Sequence, residues 1–139
     1  HQFASPNIGK TNLRSIIGEL DDWVSVKQVE EQISSILATN ANASLRIIPE
    51  AHHSFDRRED VYEVPEAKVA PKAPTIMITD DGLMIHPETG QPSKEMTDFD
   101  AFVFALKSGF GKTGAHMGGI KNQPEIFSAD MIDFFKENL

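Results

Sequence analysis

The sequence predicts a mixed α/β fold built on parallel strands, and three observations lead there. Residues 13–17 form a short, largely apolar run that stops at Gly18. Val26, Val29, Ile33, Ile36 and Leu37 then recur at spacings of three and four, the pattern of an amphipathic helix. Residues 43–48 follow as a second run, with Leu45, Ile47 and Ile48 apolar and Pro49 closing it. Strand, helix and strand within about 35 residues make one βαβ unit, and such units are right-handed with parallel strands.

The remaining elements are read in chain order. Ser25 and Gln28 stand at capping-box spacing, so the first helix is expected to start there, and Asn40 and Asn42 suit its end. Residues 57–74 are charged and Pro-rich (Arg57, Arg58, Glu59, Asp60, then Pro65, Pro71, Pro74) and read as an irregular surface connection. Residues 75–79 and 83–86 flank Asp80-Asp81-Gly82, a hairpin signal, and residues 86–90 form a further turn. Residues 99–106 read as a helix with Phe99, Phe102, Val103 and Leu106 along one side. Gly109, Gly111, Gly114, Gly118 and Gly119 suggest a flexible connection. The last helix is expected over 128–138, with Phe127, Met131, Ile132, Phe134 and Phe135 as its packing face.

Composition narrows the function classes. A chain of 139 residues with 40% apolar content suits one domain. Its net charge of −8 argues against nucleic acid, because no Lys/Arg stripe is available to neutralise phosphates. The absence of Cys excludes a disulfide framework, a thiolate metal site and a cysteine nucleophile within these residues. No apolar run approaches the roughly 18–20 residues of a membrane span, so no membrane partner is expected. No signal-peptide pattern opens the chain, which begins on His1 in polar sequence, as a processed or partial chain would. The compartment stays open.

Two loops carry the candidate chemistry, Gly18-Glu19-Leu20-Asp21-Asp22-Trp23 and Pro49-Glu50-Ala51-His52-His53-Ser54-Phe55-Asp56. Each follows a strand of the βαβ unit, so both lie at the carboxyl edge, where open α/β sheets place their ligand sites. Asp21 and His53 can then meet: a carboxylate within hydrogen-bond reach orients an imidazole and stabilises its protonated form. The bland alternative is that Asp21 and Asp22 cap the helix N-terminus and His53 is a packed loop residue. Trp23 and Phe55 are the candidate pocket residues. His52, His53, Asp56 and His86 have ligand chemistry, but no His-x-x-x-His or His-Glu-x-x-His spacing supports a metal. Asp80-Asp81 lacks the rest of a calcium loop, and residues 109–119 fit neither a P-loop nor a dinucleotide fingerprint.

The two loops resemble the acid and base loops of the dienelactone hydrolase family, a branch of the α/β-hydrolases. Gly114-Ala115-His116-Met117-Gly118-Gly119 and residues 127–139 also look like that family's final loop and helix. The resemblance covers roughly 13–56 and 108–139. It maps the family's acid, the Asp of Gly-x-x-Asp, to Asp21, and its base, the His of His-small-Phe, to His53; Asp22 and His52 are the alternative neighbours. The fold it implies is the C-terminal part of an α/β-hydrolase. Two departures stand against this. No Gly-x-Ser-x-Gly or Gly-x-Cys-x-Gly elbow occurs in the chain, so the nucleophile is expected upstream of His1. Residues 57–107 exceed the family's short connection and read as an insertion, serving as a lid, a substrate wall or a dimer contact.

The expected function is cleavage of a small carboxylic ester or lactone by a nucleophile–His53–Asp21 triad, with no cofactor, and with this chain alone inactive. A carboxylesterase or a prolyl-oligopeptidase-like peptidase shares those loops. The competing class is a non-catalytic α/β module whose insertion binds a partner. Part of a sheet leaves an open edge, so the missing N-terminal half or a second copy is expected to cover it.

Overall fold

Apolar residues at the expected periods do form the expected unit. The computed structural model describes residues 1–39 and 41–139 and is a mixed α/β fold. In chain order the elements are β1 (Gln2–Phe3), β2 (Leu13–Gly18), α1 (Val26–Leu37), β3 (Ala43–Ile48), β4 (Tyr62–Val69) and β5 (Met77–Ile78). There follow β6 (Met84–Ile85), β7 (Pro92–Ser93), α2 (Asp98–Lys107), β8 (Lys112–Met117) and α3 (Gln123–Asn138). No helix of the described residues is long and apolar enough to cross a membrane.

β2 and β3 pair in parallel without a slip, from Leu13 opposite Ala43 to Gly18 opposite Ile48. The α1 N-cap is Ser25, whose hydroxyl accepts from the Gln28 amide at 3.3 Å. Ile33 and Ile36 are buried on that helix, and its last residue is Leu37. Asn40, expected near the helix end, lies outside the described residues.

The other face of the β2–β3 pair carries α3. Even-numbered positions share this face, as the two-residue period of a strand requires. Ile16 and Ile48 meet Ile126 and Phe127 there, together with Ala51 and Phe55. Phe55 and Phe127 pack edge to face with centroids 5.9 Å apart. Asp130, only 5% exposed, bridges both strands: one oxygen accepts from Arg14 Nη1 and the other from Arg46 Nη1 at 2.8 Å. The Arg14 guanidinium also lies 5.7 Å from the Phe134 ring centroid.

Four expectations need correction. Residues 57–74 are not irregular throughout, because β4 occupies Tyr62–Val69 and pairs antiparallel with β8. Pro65 falls in the register shift between Val64 and Lys68, where a residue without an N–H costs no ladder bond. Within the glycine-rich stretch, Lys112–Met117 is correspondingly a strand, β8, rather than part of a flexible connection. Its glycine content is overridden by the β4 ladder and by Ala115, which is fully buried against Ala67 and Val69.

The third correction concerns the faces of α2. Ala101 and Ala105 are its buried residues, whereas Phe99 is 72% exposed. A reciprocal capping box between Thr97 and Asp100 sets its start. Fourth, α3 begins more than a turn earlier than expected, at Gln123, with Pro124 in the first turn where its missing N–H is harmless. Met131, Ile132 and Phe135 point outward, and the docking residues are Ile126, Phe127, Asp130 and Phe134. The expected hairpin is present: Ile78 opposes Met84, Gly82 supplies φ +80° at the turn, and β7 and β1 extend it into a four-stranded sheet.

Removing the Asp130 carboxylate leaves two guanidinium groups facing each other beneath α3. Asp130→Ala is expected to lower stability by roughly 2–4 kcal/mol, somewhat below a fully buried pair because both arginines keep some water contact. Urea unfolding measures it, and a loss under about 0.5 kcal/mol would mean the bridge does not hold the helix.

Candidate active site

The site is built where β2 and β3 end. Gly18 sits so close to the following loop that a Cβ there would lie 2.4 Å from the Ala51 carbonyl oxygen. Without that Cβ the two loops bond directly: Glu19 N–H donates to the Ile48 carbonyl at 2.9 Å and Leu20 N–H to the Ala51 carbonyl at 2.8 Å. Gly-x-x-Asp is thus a steric requirement here as well as a spacing.

Asp21 lands opposite His53. Its Oδ1 accepts from the Trp23 and Val24 amides at 2.9 and 2.8 Å, an Asx turn leading into α1. Its Oδ2 lies 3.0 Å from His53 Nδ1. The carboxylate is 7% exposed and the imidazole 33%. Holding Nδ1–H toward the acid leaves the Nε2 lone pair available as a proton acceptor. Among the described residues no hydrogen bond occupies Nε2.

The base loop is held from its far side too. Ser54 adopts φ +56°, turning the chain sharply after His53. The His53 carbonyl accepts from Gly118 N–H at 2.9 Å, and the Glu59 carbonyl accepts from Gly119 N–H at 2.9 Å. A Cβ on Gly119 would meet the Phe55 and Arg57 carbonyl oxygens at 2.6 Å, so this crossing also depends on glycine. Gln123, 5% exposed, donates to the Pro49 carbonyl at 3.2 Å.

Trp23 stacks on the His53 ring, with centroids 5.4 Å apart and planes 24° apart, and its Nε1–H donates to the His116 carbonyl at 2.8 Å. It also packs against the Ala67, Val69 and Ala115 cluster. Phe55 is only 6% exposed and belongs mainly to the core, contributing one edge to the cleft beside His53. That cleft measures about 350 Å³ and is lined by Ser15, Ile16, Ile17 and Gly18 in succession, with Asp21 and His53 in its wall. Four consecutive strand residues line one cleft only where the strand edge itself is open.

A second acid–imidazole pair lies alongside, and it was not anticipated. Asp22 Oδ2 is 3.0 Å from His116 Nδ1 and 2.9 Å from Lys112 Nζ, while its Oδ1 accepts from His116 N–H at 2.9 Å. Burial, the largest single influence, pushes the Asp22 carboxyl up, but the hydrogen bonds from Lys112 and His116 together outweigh it and hold the pKa at about 2. His52 leans on the His116 ring at 5.3 Å, and its Nδ1 is buried without a partner. Only the His within the glycine-rich stretch hinted at this pair, and its strand was not foreseen. Asp22 and His52 therefore do not form the alternative triad; each turns toward His116. His86 stands apart in its own turn, where its Nδ1 accepts from the Glu88 amide at 3.2 Å. Among the described residues no group of three His, Cys, Asp or Glu side chains is placed to hold a metal ion.

Two outcomes follow from this geometry. Gly18→Ala is expected to cost roughly 1–3 kcal/mol in urea unfolding and to erase the Nδ1–H preference of neutral His53 in ¹⁵N NMR; an unchanged tautomer would show that the loops tolerate separation. The depressed Asp22 carboxyl contributes stability that is fully present above its unfolded pKa of 3.8 and is lost as pH falls toward about 2. The loss in that window is expected to be on the order of 1 kcal/mol after solvent screening and to vanish in Asp22→Asn, as read by urea midpoints at pH 5 and pH 2.5.

Comparison of the chain with protein-family models, with curated proteins and with solved structures finds no match, so the functional reading rests on this geometry.

Proposed function

We propose that these residues carry the acid and base of an ester or lactone hydrolase of the dienelactone hydrolase type, built on an α/β-hydrolase fold. The observation that supports it is the 3.0 Å contact between Asp21 Oδ2 and His53 Nδ1 at the carboxyl edge of a parallel strand pair. In this reading Asp21 orients His53, and Nε2 takes the proton of a Ser or Cys nucleophile supplied upstream of His1. His53⁺ then returns the proton to the leaving alkoxide. The open β2 edge suits the neighbouring strand that would deliver the nucleophile, and the cleft along it suits a small carbonyl substrate. The oxyanion hole likewise comes from upstream backbone amides. Neither a cofactor nor a metal takes part. The 139 residues alone supply the proton relay and are inactive.

The test is intact mass of the protein from the complete reading frame, before and after a fluorophosphonate probe, with iodoacetamide as the thiol counterpart. One covalent adduct on a residue preceding His1, strongly slowed in His53→Ala, is expected. Asp21→Asn should retain the fold and lower turnover of an activated ester by about 10³- to 10⁴-fold, because the wrong imidazole tautomer is then favoured. No adduct with either probe would overturn the hydrolase and leave a non-catalytic α/β module.

A further inference from the structure

A mainly apolar cavity outside the β2 cleft lies between α2 and the acid loop. Its volume is about 350 Å³, inside the roughly 300–1,000 Å³ range of small-molecule sites. Trp23, Val69, Ile76, Ala101, Phe102 and Ala105 form its apolar walls. The space exists because α2 presents alanines inward: Ala101 and Ala105 are both 6% exposed, and neither side chain is long enough to fill what lies before it. Gln28 closes one side by donating from Nε2 to the Ala73 carbonyl at 2.7 Å. The charged groups on the lining, Lys68, Asp98 and His1, have partners. Lys68 Nζ donates to Thr113 Oγ1 at 2.6 Å, and the Asp98 side chain, 82% exposed, sits 3.5 Å from His1 Nε2.

Trp23 joins this cavity to the site already described. The same indole lines the cavity, stacks on His53 at 5.4 Å and is fixed by its bond to the His116 carbonyl. The chamber and His53 are thus neighbours with one aromatic side chain between them. A chamber whose walls are chiefly apolar favours a hydrocarbon chain over a polar head group, because a polar atom left unpaired against those walls would lose its water.

We propose that this cavity, walled by α2 and the chain leading to β5, is the subsite for the acyl or alkyl chain of the ester, so that the substrate class is esters of medium-length aliphatic chains. This rests on the hydrolase reading of Asp21 and His53. Residues 57–107 are then a substrate wall rather than a partner-binding segment. Trp23 is the specificity-determining residue shared between chain and chemistry.

Trp23 is the chain's one tryptophan, so its emission reports this wall directly. The test titrates the protein from the complete reading frame, and Trp23→Phe as its emission blank, with the 2-alkanones from 2-butanone to 2-dodecanone, neutral analogues of an ester that cannot be cleaved. Blue-shifted Trp23 emission is expected, with Kd falling roughly three- to four-fold per added methylene until the cavity is full. Ala105→Phe should bring that plateau to shorter chains, and Phe102→Ala should move it to longer ones. Emission that ignores chain length, or a series unmoved by both variants, overturns the assignment. Ketone binding needs no turnover, so this titration and the adduct assay fail independently. Chain-length dependence without an adduct would retain the aliphatic site and remove only the ester chemistry.

Discussion

The close approach of two backbones at Gly18 is the constraint on which the site depends. Parallel strands of a βαβ unit end at the same edge, but their outgoing loops need not touch. Here they do, because a glycine stands where any Cβ would lie 2.4 Å from the Ala51 oxygen. The amides of Glu19 and Leu20 then continue the bonding of β2 to the chain after β3. Asp21 is the next residue, and its side chain is placed opposite His53 by that extended register rather than by its own rotamer alone. The register itself is secure: a one-residue slip of either strand would send its isoleucine, Ile16 or Ile48, to the wrong face and part its arginine from Asp130.

Support for the imidazole comes from three directions. The acid loop holds Nδ1, the β8 exit holds the His53 carbonyl through Gly118, and the start of α3 holds the Pro49 carbonyl through Gln123. Fixing from several sides is what holds an imidazole in one orientation relative to its acid. The Asp130 bridge belongs to the same scheme. It anchors α3 on β2 and β3, and α3 carries Gln123 and Phe127 to the base loop. Stability and positioning are therefore carried by the same contacts.

The βαβ unit and the Asp21–His53 contact were legible in the sequence because both depend on local signals: a 3.6-residue period, a capping serine, two strand-ending loops. What sequence reading missed depends on pairing across a long separation. β4 has alternating charged and apolar residues with a proline, and β8 is glycine-containing with Lys112 and His116; neither stands out alone. Each is a strand because the other is there, through ladder pairs such as Tyr62 with Met117 and Val69 with Lys112. The face of α2 was misread for a related reason. Phe99 and Leu106 dominate a hydrophobic count, yet the residues that α2 buries are Ala101 and Ala105. Asp22 acquired its partner only once β8 was in place.

Adjacent residues Asp21 and Asp22 show how neighbouring carboxylates with imidazole partners become suited to different work. Asp21 shares its oxygens between two backbone amides and one imidazole, and among the described residues no cation lies against it. His53 is therefore the one side chain that its carboxylate holds among the described residues. Asp22 is bound by an ammonium as well as by the side chain and backbone of His116. Lys112 and His116 together hold the Asp22 carboxyl well below its ordinary value despite its burial. That pairing closes the acid loop onto β8. It keeps Trp23, which donates to the carbonyl of the same His116, pressed against His53. One carboxylate thus holds the His53 imidazole, and its neighbour holds the aromatic wall in place.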